Sequence, residues 1–230
     1  TVLENKALRK VCLKVPQHQF LTVIGSNGAG KSTLLGAVTG ETPMIGGQVK
    51  IDNVNVTKQS VHQRAKMCAR VFQDPLAGTC GDLTIEENMA IAYSRGKSRG
   101  WNMALSSQRR KLFQERISIL GLGLEDRLGD NIGLLSGGQR QAIALGRAML
   151  LGESILVLDE PTSNMDNTTE FKIRQNLYKY TRDKTLVLVT HKAAMLDLVE
   201  RLVVIDQGRI VMDGPKAKVL AELQGKKQDV

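Results

Sequence analysis

The chain has 230 residues, a formal net charge of +9, 42% hydrophobic residues and only 3% aromatic ones. That length allows one large domain or two small ones with a sizeable core, while no apolar run approaches the roughly 18 residues of a membrane span. Three scattered cysteines, Cys12, Cys68 and Cys80, with no C-x-x-C pair, exclude a disulfide framework and a zinc site and suit a reducing cytosol. The positive balance permits binding to nucleic acid or anionic lipid. Its lysines and arginines are spread along the chain, however, and few aromatics are present to stack on bases. A solvated basic surface facing phosphates and lipid headgroups is therefore expected, with no nucleic-acid partner. No signal peptide is visible, and because the first residue is Thr1 the N-terminus is read as truncated.

Val11-Cys12-Leu13-Lys14-Val15 alternates weakly and predicts a strand, followed by a turn over Pro16–Gln19. Phe20-Leu21-Thr22-Val23-Ile24 is a buried strand that feeds Gly25-Ser26-Asn27-Gly28-Ala29-Gly30-Lys31-Ser32-Thr33, and the apolar run after Ser32 opens a helix that ends near Gly40. Strand, glycine loop and helix form the context of a phosphate-binding loop. Glycines let successive N–H groups point inward, and the helix N-terminus adds positive charge at the same point. Lys31 then reaches the β- and γ-phosphates and the Ser32 hydroxyl holds Mg²⁺. The chain is thus expected to bind a nucleoside triphosphate.

Gln48–Asp52 alternates again and resembles a sheet-edge strand, and Ala69–Phe72 is a short strand ending at Gln73-Asp74-Pro75. From there to Ser136 the texture becomes helical. Thr84 is an N-cap with acids behind it, Arg95–Gly100 is a basic loop, and Leu105, Leu112, Phe113, Arg116, Ile117 and Leu120 recur at helical spacing up to Gly121-Leu122-Gly123. The second half alternates Ile155–Leu158, Glu170–Tyr180, Leu186–Val189, Ala193–Val199 and Leu202–Ile205, which implies a parallel sheet covered by helices. Asp206–Arg209 is a hairpin turn, and the tail with Lys226-Lys227 is read as a frayed end.

Two further stretches carry chemistry. Ile155-Leu156-Val157-Leu158-Asp159-Glu160 is an apolar strand ending in two acids. Beside a phosphate-binding loop, Asp159 is expected to hold Mg²⁺ and Glu160 to polarise an attacking water; without that loop, a solvated strand end would be the better reading. Leu135-Ser136-Gly137-Gly138-Gln139-Arg140-Gln141 is a helix start, with Ser136 and Gln139 forming a capping box and two glycines leaving N–H groups bare for an anion.

L-S-G-G-Q-R-Q, with the phosphate loop and the acidic strand, resembles the ATP-binding subunit of ABC transporters over nearly the whole chain. The resemblance implies an α/β fold: a P-loop NTPase core (residues 1–73 and 145–230) with a mostly parallel sheet, an antiparallel β edge and an inserted helical subdomain (residues 74–144). It implies ATP and Mg²⁺ as ligands. Gln73 would touch Mg²⁺ and contact the membrane subunit, and His191 would contact the γ-phosphate. Ser136, Gly137, Gly138 and Gln139 would complete the site of a second copy across a dimer interface, together with Asp166 of Ser163-Asn164-Met165-Asp166. That loop departs from the usual S-A-L-D. The aromatic that the family stacks on adenine has no counterpart before Gly25. The implied partners are a second ATPase subunit, homodimeric, integral membrane permease subunits and a separate solute-binding protein, at the cytoplasmic face of the membrane. The motif set is similar to importers of amino-acid-like solutes; the rival expectation is a soluble ABC ATPase that acts on nucleic acid or the ribosome.

Overall fold

The computed structural model describes residues 7–95, 105–150, 154–197 and 199–228. Strand β1 (Phe20–Ile24) runs into helix α1 (Lys31–Thr39), and a separate two-stranded hairpin follows, β2 (Lys50–Ile51) with β3 (Val54–Asn55). Next come the short helix α2 (Val61–Arg64), strand β4 (Cys68–Val71) and helices α3 (Ile85–Tyr93), α4 (Ser107–Ser118) and α5 (Gly137–Met149). Strand and helix then alternate through β5 (Ile155–Asp159), α6 (Asn167–Thr181), β6 (Thr185–Val189), α7 (Ala193–Leu196), β7 (Arg201–Asp206), β8 (Arg209–Pro215) and α8 (Lys216–Gln228).

The main sheet has the order β4-β5-β6-β1-β7-β8, with every pairing parallel except β7 with β8. Apart from the edge strand β8, its strands are largely buried on both faces, and residue type differs by face. Leu156, Leu158, Leu186 and Leu188 point into a large cluster with α3, α4 and α5. Val157, Val187 and Val189 alternate with them and face Leu34 and Leu35 of α1. A pleat with period two makes that division automatic. Parallel strands also share one polarity, so β1, β4, β5 and β6 deliver their C-terminal ends to the same edge of the sheet, where α/β proteins bind ligands.

Helix boundaries follow local chemistry. The Thr84 side chain accepts from the Glu87 N–H, and the Glu87 carboxylate accepts from the Thr84 N–H at 2.8 Å, which closes the expected capping box. Glu86 of α3 is buried and accepts from Arg110 of α4 at 2.7 Å, joining the two helices. At the other end of α1, Gly40 takes a left-handed φ of 87° and its N–H donates to Gly36 O.

Four expectations need correction. Val11–Val15 is not a strand, and both edges of the following strand β1 are taken by β6 and β7. Its alternation arises because Val11, Leu13 and Val15 rest on the α1-side core. Gln48–Asp52 contributes two residues to the isolated hairpin rather than to the main sheet. Among the described residues of Ala193–Val199, only Ala193–Leu196 are helical. The tail, finally, is helical in α8 through Gln228 rather than frayed from its start, and α8 lays Val219 into the large core cluster; residues 229–230 lie outside the described residues. Gly96–Gly100 of the expected basic loop lies outside the described residues.

Candidate functional site

The loop after β1 curls because glycine stands where a side chain would collide. A Cβ on Gly25, which has φ 157°, would lie 2.1 Å from the carbonyl oxygen of Ile205 on β7. Gly30 takes φ 105° as it hands the chain to α1. Lys31 is largely buried and folds back across the loop, its Nζ donating to Gly25 O at 2.8 Å and Ser26 O at 2.9 Å. An ammonium has three N–H bonds, so these contacts hold the charge at the loop mouth and use two of them.

An open cleft of about 660 Å³ lies against this loop. Asn27, Gly28, Gly30, Lys31, Ser32 and Thr33 form one wall. Gln73 after β4, Asp159 and Glu160 at the end of β5, Ser163, and His191 after β6 form the other. Gly25, Ser26 and Ala29 shape the loop without lining the cleft. The acidic strand was expected beside the loop; β6 in fact intervenes between β5 and β1, and convergence of the strand ends brings the acids in.

Glu160 has a left-handed φ of 48°, which is uncommon for a residue with a side chain. It is held there by its own N–H, which donates to Val189 O at 2.9 Å. One carboxylate oxygen accepts from the His191 N–H at 3.4 Å; the other lies 3.5 Å from His191 Nε2 and has no hydrogen-bond partner. A buried carboxylate with an unclaimed oxygen is thus kept in a costly backbone conformation beside an exposed imidazole. Among the described residues no cluster of three His, Cys, Asp or Glu side chains could by itself hold a metal.

The start of α5 lies elsewhere. Ser136 accepts from the Gln139 N–H at 3.2 Å, and Gln139 Oε1 accepts from the Ser136 N–H at 3.1 Å. Gly137 and Gly138 pack against Asn164, the latter so closely that a Cβ would sit 3.1 Å from Asn164 O. Asp166 caps α6 by accepting from the N–H groups of Thr168 and Thr169, and the bonds from Thr169 hold its carboxyl below the usual range. Ser136 and Asp166 are both exposed, and neither they nor Gly137, Gly138 and Gln139 line the cleft.

Four residues were not singled out in the sequence for their contacts. Gln141 is fully buried and donates to Phe72 O at 3.2 Å, while its own oxygen accepts from Asn164 at 3.4 Å. The unusual asparagine of the Ser163–Asp166 loop thereby ties that loop to α5 and to the strand before Gln73. Lys192 bonds Thr162 O at 2.7 Å and Glu170, stapling the segment after β6 to α6. Arg70, in the middle of β4, pairs with Asp159 at 3.2 Å and with Glu41. A single charge inside an apolar strand beside an acidic one was the available signal.

Residues 8–163 match the family model described as "ABC transporter". The chain is 32% identical over 212 residues to a tyrosine transport ATP-binding protein of Clostridioides difficile, covering 91% of this chain and 84% of that one. It is 36% identical over 223 residues to an ATP-dependent lipid A-core flippase of Shewanella, of which it spans 36%. Among solved structures, the dimeric post-hydrolysis state of the ATP-binding cassette MJ0796 bound to ADP and Pi superposes with a TM-score of 0.82 at 30% identity, covering 91% of this chain and 90% of that one.

Proposed function

Because this chain belongs to the ABC transporter family, we propose that it drives the uptake of an amino-acid-like solute through separate membrane permease subunits, fed by a solute-binding protein. ATP binding and hydrolysis are the activity of the family, and its cassettes work as dimers. The observation that carries the reading is the cleft in which the phosphate loop, Asp159, Glu160 and His191 converge. Lys31 is placed to meet the β- and γ-phosphates and Glu160 to take a proton from an attacking water. Ser32, Gln73 and Asp159 present oxygen donors to one cleft, a set that fits a hard cation such as Mg²⁺. When bound, that ion would offset charge on the phosphate oxygens. Ser136, Gly137, Gly138, Gln139 and Asp166 are offered to the nucleotide of a second copy.

An amino-acid-like solute is favoured by the likeness to the tyrosine transport ATP-binding protein, most of whose length this chain spans. Among the described residues no helix is long and apolar enough to cross a membrane; in this reading the permease subunits supply the path for the solute and the chain works at the cytoplasmic face. A second reading, the ATPase part of an exporter, is favoured by the flippases and by the lactococcin transport protein of Lactococcus lactis, 30% identical over 218 residues. Proteoliposomes made with the membrane subunits separate the two. ATP-dependent accumulation of a radiolabelled amino acid on the side where the ATPase sits is expected. Lipid translocation without uptake of any amino acid would overturn import.

A further inference from the structure

Arg70 lies in β4 opposite Val157 of β5, so its side chain shares a face with Asp159, two residues further on. That face is covered by α1. Gly36 of α1 lies against it: a Cβ there would meet Arg70 Nη1 at an ordinary contact distance of 3.6 Å. The guanidinium is therefore enclosed, with 11% of its side chain exposed. One nitrogen, Nη2, donates to Asp159 Oδ2 at 3.2 Å, and the other, Nη1, donates to Glu41 just beyond α1. Its Cζ lies 4.8 Å from the centre of the Phe72 ring, and Nε has no partner. Asp159 is still more enclosed, with 8% of its side chain exposed, whereas Glu41 reaches solvent with 29%.

We propose that Arg70 is a positioning residue which, divided between Glu41 and Asp159, sets how tightly the nucleotide site holds its divalent cation. The inference rests on the reading that Asp159 faces that cation. A carboxylate paired with a fixed guanidinium offers less negative charge to a second cation than a free one, and in an enclosed site little water screens the difference. Arg70 therefore opposes the metal. Glu41 opposes Arg70 in turn, because it neutralises the guanidinium and draws it away from Asp159. The same geometry orients Asp159, since one of its two oxygens is claimed and the other stays available.

The two partners thus carry opposite signs. Mn²⁺ is titrated into the protein saturated with a non-hydrolysable β,γ-methylene analogue of ATP, and free Mn²⁺ is counted by electron paramagnetic resonance. Arg70→Met is expected to tighten Mn²⁺ binding by about three- to tenfold, the size of a close charge coupling, and Glu41→Gln to weaken it by a similar factor. Arg70→Lys, which keeps the charge, should stay near the parent value. A merely structural role for Arg70 would not tighten metal binding. Should Arg70→Met fail to fold, the more exposed Glu41→Gln decides alone, and unchanged Mn²⁺ affinity there overturns the proposal. Unchanged or weaker binding in a folded Arg70→Met does the same. Asp159→Asn separates this from the underlying reading: if it leaves Mn²⁺ affinity intact, Asp159 does not face the cation. If it weakens binding while the Arg70 and Glu41 variants do nothing, only the role of Arg70 falls.

Discussion

At the scale of single residues, charge and backbone together bring Lys31, Asp159 and Glu160 to one cleft. Lys31, Asp159 and Glu160 were legible in the sequence because each stands at a fixed offset from a strand or a glycine. The strain at Glu160 was not, since a positive φ of 48° on a glutamate depends on the bond from its N–H to Val189 across the sheet. Arg70 was hidden for a related reason: its partners, Glu41 and Asp159, lie 29 and 89 residues away in sequence. Glu160→Gln keeps size and fold but removes a basic oxygen. It should lower steady-state phosphate release by about 10²- to 10⁴-fold, the usual worth of a positioned base, while calorimetry still shows ATP binding. Hydrolysis at the parent rate would take Glu160 out of the mechanism.

At the scale of elements, strands and helices with strong local signals appeared where expected. The buried runs of β1, β5, β6 and β7 could be read directly, and so could α3, whose cap, acids and apolar spacing all agree. The failures share a cause: the missing information was which edge or surface lay nearby. Val11–Val15 has strand-like alternation, but its apolar residues rest on the α1-side core without joining a ladder. The lysine-rich tail looked solvated, yet α8 places Val219, Leu220 and Leu223 against the core at helical spacing. Capping is the most local of these devices and so the easiest to test. Thr84→Ala should cost about 0.5–2 kcal/mol of stability in urea unfolding, because it leaves the Glu87 N–H without its partner and ends the reciprocal bond to the Thr84 hydroxyl. A change under about 0.3 kcal/mol would mean that tertiary packing alone sets the start of α3.

At the scale of the whole molecule, the division into a core and a helical insertion can be drawn only so far. The boundary at 144/145 falls inside α5, and one hydrophobic cluster runs from α3 and α4 through α5 into the sheet. That helix has one end exposed at Ser136 and the other locked by Tyr180, whose hydroxyl donates to Met149 O. Its free end carries bare N–H groups suited to an anion, yet it lies outside the cleft of its own chain. In the function proposed above, that anion is the phosphate held by the loop of a second copy, so that each site would be the joint property of two chains. Mixing two variants tests this. Lys31→Ala has a crippled phosphate loop and an intact Ser136; Ser136→Arg has the reverse, with a bulky cation wedged where the second chain must close. Alone, neither should form an ATP-dependent dimer by size-exclusion chromatography with a hydrolysis-resistant analogue, and Ser136→Arg should still bind ATP as a monomer. Mixed, they hold one composite site with both halves sound, and a heterodimer should elute. Circular dichroism of Ser136→Arg guards against a melted α5. Hydrolysis by the Ser136→Arg monomer at the parent rate would refute the shared site. Loss of its ATP binding with the fold intact would instead place Ser136 in the site of its own chain.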